Sequence, residues 1–146
     1  VIDTLKTLFD RDLDRLASEI NTYNNASNLW VKDGQVNNSG GTLCLHLCGN
    51  LQHFVGSILG NSGYVRDRVA EFSDVHSRES LIQEIETTKK AVQSALEKLS
   101  PNALSEKYPI EVFGSPMTVQ FFLLHLQGHL NYHLGQISYH RRLLDR

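Results

Sequence analysis

Apolar residues recur along this sequence at steps of three and four, the spacing of one face of an α-helix. Over residues 3–23 the stripe is Leu5, Phe9, Leu13, Leu16 and Ile20, with Ile2 just ahead of it. A second helix is predicted over residues 42–59. Leu43, Leu47, Leu51, Phe54 and Ile58 face inward there, and Gly60-Asn61-Ser62-Gly63 ends it. A third runs over residues 77–99 on Leu81, Ile85, Val92, Leu96 and Leu99, with Ser77 as its N-cap and Ser100-Pro101-Asn102 as its stop. The fourth is expected from Ser115 to Leu144, with Ser115 as N-cap and Pro116 at the first position, where a missing N–H costs nothing.

Between these segments the pattern is weaker. Residues 24–41 are rich in Asn, Gly and Ser and read as a long loop, whose Trp30 is expected to cover the core. Tyr108, Ile110 and Val112 alternate with other residues, which suggests a short extended segment over residues 107–114. Four amphipathic helices without a strong strand signal make an all-α four-helix bundle, a single domain over residues 1–146.

Composition narrows the function. The chain is 40% apolar and 21% charged, an ordinary folded balance. No apolar run approaches the ~18 residues of a membrane span. The net charge is −2 and the basic residues are scattered, whereas a nucleic-acid binder needs a basic stripe. Cys44 and Cys48 stand four apart on a predicted helix, a poor separation for a disulfide. They read as buried free thiols, which suits a reducing cytoplasm.

The candidate chemistry lies in the histidines, seven in all. His46 and His53 fall on the second helix, and His125, His129, His133 and His140 on the fourth; His76 reads as a surface residue. Two histidines at i and i+4 share one helical face and can present two ring nitrogens to one metal. With His129 at zero and about 100° per residue, the apolar arc of the fourth helix covers roughly +20° to +120°. His133 falls inside it at about +40°, and His125 outside it at about −40°. On the second helix His46 and Asn50 border the apolar stripe, with His53 slightly farther out as a substitute. One inward histidine is usually a hydrogen-bonded structural residue. Two at i, i+4 and a third on a second helix favour a metal, without settling it.

Two short segments carry a family resemblance. His129-Leu130-Asn131-Tyr132-His133-Leu134-Gly135-Gln136-Ile137 resembles the last-helix motif of the DinB/YfiT-like superfamily. His46-Leu47-Cys48-Gly49-Asn50-Leu51 resembles its second-helix histidine motif. Both occur in the right order, and the similarity covers nearly the whole chain. Residues 63–72 also look like a segment of one branch, with no chemical role attached.

The resemblance implies a four-helix bundle, often a homodimer, holding one divalent metal, zinc or nickel, through His46, His129 and His133. Characterised members include mycothiol-dependent maleylpyruvate isomerase and bacillithiol S-transferases. The implied activity is a metal-dependent transfer or hydrolysis on a small-molecule substrate with a low-molecular-weight thiol of the bacillithiol, mycothiol or glutathione kind. The alternative is a non-catalytic metal-binding or stress-associated protein, and a further one a bundle whose histidines do no chemistry. Around the ligands, Asn50 is placed either to orient a water or substrate or to make an interhelical hydrogen bond. Gln136 falls close to the histidine face, and Glu71, expected in a loop, is the carboxylate available as a fourth ligand or a base. Gly135 is read as a packing residue and Tyr132 as peripheral. Cys44 and Cys48 point away from the site.

Overall fold

Helix α1 (Ile2–Thr22) buries Leu5, Phe9, Leu13, Leu16 and Ile20 on one face, the stripe its sequence spells out. The computed structural model describes all of residues 1–146. Its other long helices are α2 (Gly40–Leu51), α4 (Arg78–Glu97) and α5 (Val119–Leu144), and together with α1 they enclose a single core. A fifth, short helix, α3 (Arg68–Ser73), lies against α2. Its start is capped by Asp67, whose carboxylate accepts from the Ala70 N–H.

The caps explain where the helices begin. Ser39 Oγ accepts from Thr42 N at the head of α2, and Ser77 Oγ from Ser80 N at the head of α4. Helix α5 departs from expectation. Thr118, not Ser115, is its N-cap, accepting from Phe121 N, and Pro116 lies outside the helix. The cause is a pairing the sequence does not announce. Tyr108 N donates to Met117 O and Val119 N to Glu106 O, so residues 106–108 hold 117–119 extended in an isolated antiparallel bridge. That bridge also replaces the extended segment expected over residues 107–114. Tyr108 is buried, and its hydroxyl donates to Phe54 O.

The predicted second helix is continuous only in part. After Leu51 it opens into a π-helical turn, Gln52–Ser57. Wider turns place the core side chain four residues after Leu51 rather than three, so Val55 is buried and Phe54 only half-buried. Trp30 packs on the core as expected, its ring lying over Gly41. Asp12 is fully buried on α1, where it accepts from Gln127 and Asn131 of α5.

Candidate metal centre

Helices α2 and α5 pack against each other and bring three imidazoles together. His46 comes from α2, and His129 and His133 come from successive turns of α5. One ring nitrogen from each lies within 4.8 Å of the other two. His46 Nε2 and His129 Nε2 are 3.3 Å apart. His46 is buried, whereas His129 and His133 are half-buried, so the cluster sits at the edge of the core with one side open.

Two of the three rings, His46 and His133, have their outer edge held by a neighbour. The carboxylate of Glu71 can only accept, so His46 Nδ1, 3.2 Å from Glu71 Oε1, carries the proton that it donates. That leaves the Nε2 lone pair of His46 facing the other histidines. Glu71 is itself gripped by Arg66, whose Nε donates to Oε2 at 2.8 Å and whose Nη2 donates to Oε1 at 2.9 Å. Burial pushes the Glu71 carboxyl up, but the donors His46 and Arg66 outweigh it and hold it below the usual range. It is therefore an anion backing His46, and it stands on the far edge of that ring from the cluster. On α5, His133 Nδ1 lies 2.7 Å from Gln136 Oε1 and donates to it, which again leaves Nε2 unprotonated.

His129 has no such support. Its Nδ1 is buried without a hydrogen-bond partner. Burial, with the charges that His133, His46, His125 and Arg66 would set against it, pushes its pKa down to about 4. Burial also lowers that of His133, against the hydrogen bond that His133 donates to Gln136. Both shifts favour the neutral ring, the form that binds metals.

The remaining predicted residues have distinct places. Asn50 is buried on α2 one turn after His46, and its Oδ1 has no partner. His53 lies outside the cluster in the π-helical turn, half-buried against Phe54. His125 is exposed, stacked on Phe122 and edge-on to Phe113. His140 is a structural histidine, with Nδ1 at 2.7 Å from the Tyr23 hydroxyl and Nε2 at 2.8 Å from Val31 O. His76 is half-buried, with Ser80 Oγ 2.9 Å from its Nδ1. Cys44 and Cys48 are buried free thiols. Sequence reasoning gave Arg66 no role, because nothing in its spacing marks a residue whose main partner, Glu71, is brought up by a short helix.

The family model described as a protein of unknown function, DUF1572, matches residues 2–146. The chain belongs to the DUF1572 family. No curated protein shows significant sequence similarity to this DUF1572 member. Among solved structures it is similar to the crystal structure of a DinB-like protein from Bacillus cereus ATCC 10987. The TM-score is 0.71 at 18% identity, over 90% of this chain and 85% of that one. The all-α, DinB-like fold is thereby established, in agreement with the resemblance carried by the two histidine motifs.

The residues present suit a divalent cation. Two of the three rings have their protons fixed on the outer nitrogen, so unprotonated Nε2 atoms converge with nothing positive between them. The third, His129, likewise turns its Nε2 toward His46, with its Nδ1 left unpartnered on the other side of the ring. A cation at the centre would satisfy the inner lone pairs together, and three imidazoles would leave it an open position.

Proposed function

We propose that this DUF1572 member binds one divalent metal ion, zinc or nickel, through His46, His129 and His133, and uses it in a thiol-dependent transfer or hydrolysis. The observation that supports the reading is the convergence of three imidazole nitrogens within 4.8 Å. When bound, such a cation lowers the pKa of a thiol or water in its open position and so supplies a nucleophile near neutral pH.

The chain's own residues prepare that position. Glu71 and Gln136 keep the protons of His46 and His133 on Nδ1, so that both rings offer Nε2 without reorienting. Arg66 neutralises Glu71 and fixes its orientation. Asn50, with its free Oδ1, is placed to accept from a bound water or substrate beside His46. The sulfur comes from a diffusible thiol of the bacillithiol, mycothiol or glutathione kind, since both cysteines of the chain are buried. The substrate is a small electrophile. A cytoplasmic location, where such thiols are reduced, and a homodimeric assembly complete the reading. No helix of the chain is long and apolar enough to cross a membrane.

Elemental analysis of untagged protein, beside a His133→Ala variant, tests the site. About one zinc or nickel per chain, lost in the variant, is the expected result and would justify screening thiol–electrophile pairs. Protein that neither holds nor takes up a divalent ion would sink the proposal.

A further inference from the structure

Helix α5 has a face that nothing in the chain covers. Phe121, Leu124, Tyr132, Tyr139 and Leu143 are between 52% and 65% exposed. On the helical wheel they fall, with Gly128 and Gly135, inside an arc of about 100°. From Val119 to His140 the helix carries no Asp, Glu, Lys or Arg, and the one charge on the arc, Arg142, lays its guanidinium over the Tyr139 ring. A solvated helix face normally holds charges. Loss of charge combined with aromatic side chains marks the core of a protein interface. The two glycines add to this. A Cβ at either would meet nothing within 4 Å, and glycine is unfavourable inside a helix, so neither is required by packing within the chain.

The pattern of the stripe identifies what covers it. Read along the helix, Phe121, Leu124, Gly128, Tyr132, Gly135, Tyr139 and Leu143 run large, large, small, large, small, large, large. The order is the same in both directions, with Tyr132 at its centre. A two-fold interface requires a surface that complements itself in this way. With two copies antiparallel about an axis at Tyr132, Phe121 faces Leu143 of the other copy, Leu124 faces Tyr139 and Gly128 faces Gly135. The glycines allow the backbones to approach closely on either side of the central tyrosines.

A groove lies where this register needs one. Val36, Leu43, Tyr139, Leu143 and Leu144 line a depression of about 420 Å³ at the C-terminal end of the stripe. Phe121 of the second copy arrives there, an aromatic anchor against the apolar wall of a recess whose other wall, with Asn37, Asn38 and Gln136, is polar. With full side-chain areas of roughly 150–250 Å² for aromatic residues, the stripe exposes roughly 600 Å² per chain. Twice that, with the groove walls, comes to the low end of the roughly 1,200–2,000 Å² of stable interfaces.

We propose that two copies pair antiparallel along α5, with Phe121 of each seated in the groove beside Tyr139 and Leu143 of the other. This rests on the homodimer part of the proposed function and assigns its surface. The two-fold axis runs perpendicular to both helices, so the His129/His133 edges of the two copies lie on the same side of the pair. The two histidine clusters thus share one face of the dimer.

Sedimentation of the native chain and of Phe121→Lys and Tyr139→Lys variants is the test, with circular dichroism to follow the fold. Both positions are exposed and outside the histidine cluster, so the single chain should keep its helix content. The native chain, 16.5 kDa, is expected to sediment at twice that mass. Each lysine should weaken association by about 30-fold or more, the effect of losing an interface hot spot. Tyr132→Cys should cross-link to itself under mild oxidation, whereas Ser94→Cys on α4 should not. A dimer indifferent to both lysines would overturn the α5 assignment while leaving homodimerisation intact. A single chain at every concentration up to about 100 μM, well above the Kd of a stable interface, would overturn both.

Discussion

The carboxylate of Glu71 occupies the space that a side chain on Gly49 would need. A Cβ built on Gly49 would overlap Glu71 Oε2 and Cδ. Gly49 stands one turn after Leu45 on the face of α2 that α3 covers, and its missing side chain is what lets the carboxylate reach His46. The support of the candidate ligand therefore depends on a residue with no functional group.

Gly49→Ala should accordingly displace Glu71 and lower metal affinity by about 10- to 100-fold, the usual cost of losing a carboxylate behind a ligating histidine. Glu71→Gln should weaken binding in the same direction while keeping the shape. Competition with a chromophoric chelator would measure both. Native affinity in Gly49→Ala would show that the carboxylate does not act through His46.

The metal-free protein should lose stability as pH falls from about 6.5 toward about 4. His129 carries a folded pKa of about 4, against about 6.5 for an ordinary histidine. Between these values the unfolded chain binds a proton that the folded chain refuses, so stability rises with pH across that window. His133, also lowered, acts in the same sense. Glu71 has a lowered carboxyl, so its contribution is present above its unfolded pKa and is lost only at more acid pH. Thermal melts from pH 4 to 8 should flatten in a His129→Gln variant, and an unchanged slope there would reject the assignment.

Asp12→Ala should destabilise the bundle by about 2–4 kcal/mol, because it strands buried donors. The side chain of Asp12 is fully buried and accepts from Gln127 at 2.6 Å and Asn131 at 2.8 Å on α5. Burial pushes its carboxyl up, yet the hydrogen bonds from Arg11, Asn131 and Gln127 outweigh that and lower it. Urea denaturation would read the loss. A change within about 0.5 kcal/mol, the scale of ordinary surface substitutions, would mean that the network adds nothing.

Much of this protein was legible without coordinates. Hydrophobic periodicity is a local property, so the stripes of α1, α4 and α5 and the all-α class followed from residues a few positions apart. The His129/His133 pair and the bordering position of His46 came from the same arithmetic, since one helical turn sets which side chains share a face. What depended on distant parts of the chain could not be read that way. The start of α5 at Thr118 is set by backbone bonds to residues 106–108, and the inward Val55 by a π-helical turn. The burial of His140 against Tyr23, and the approach of Glu71 and Arg66 to His46, join segments whose separation in sequence carries no signal. By itself the sequence determined which residues could face inward on each helix; only the tertiary structure decided which of them meet, because contacts between elements depend on how whole faces pack.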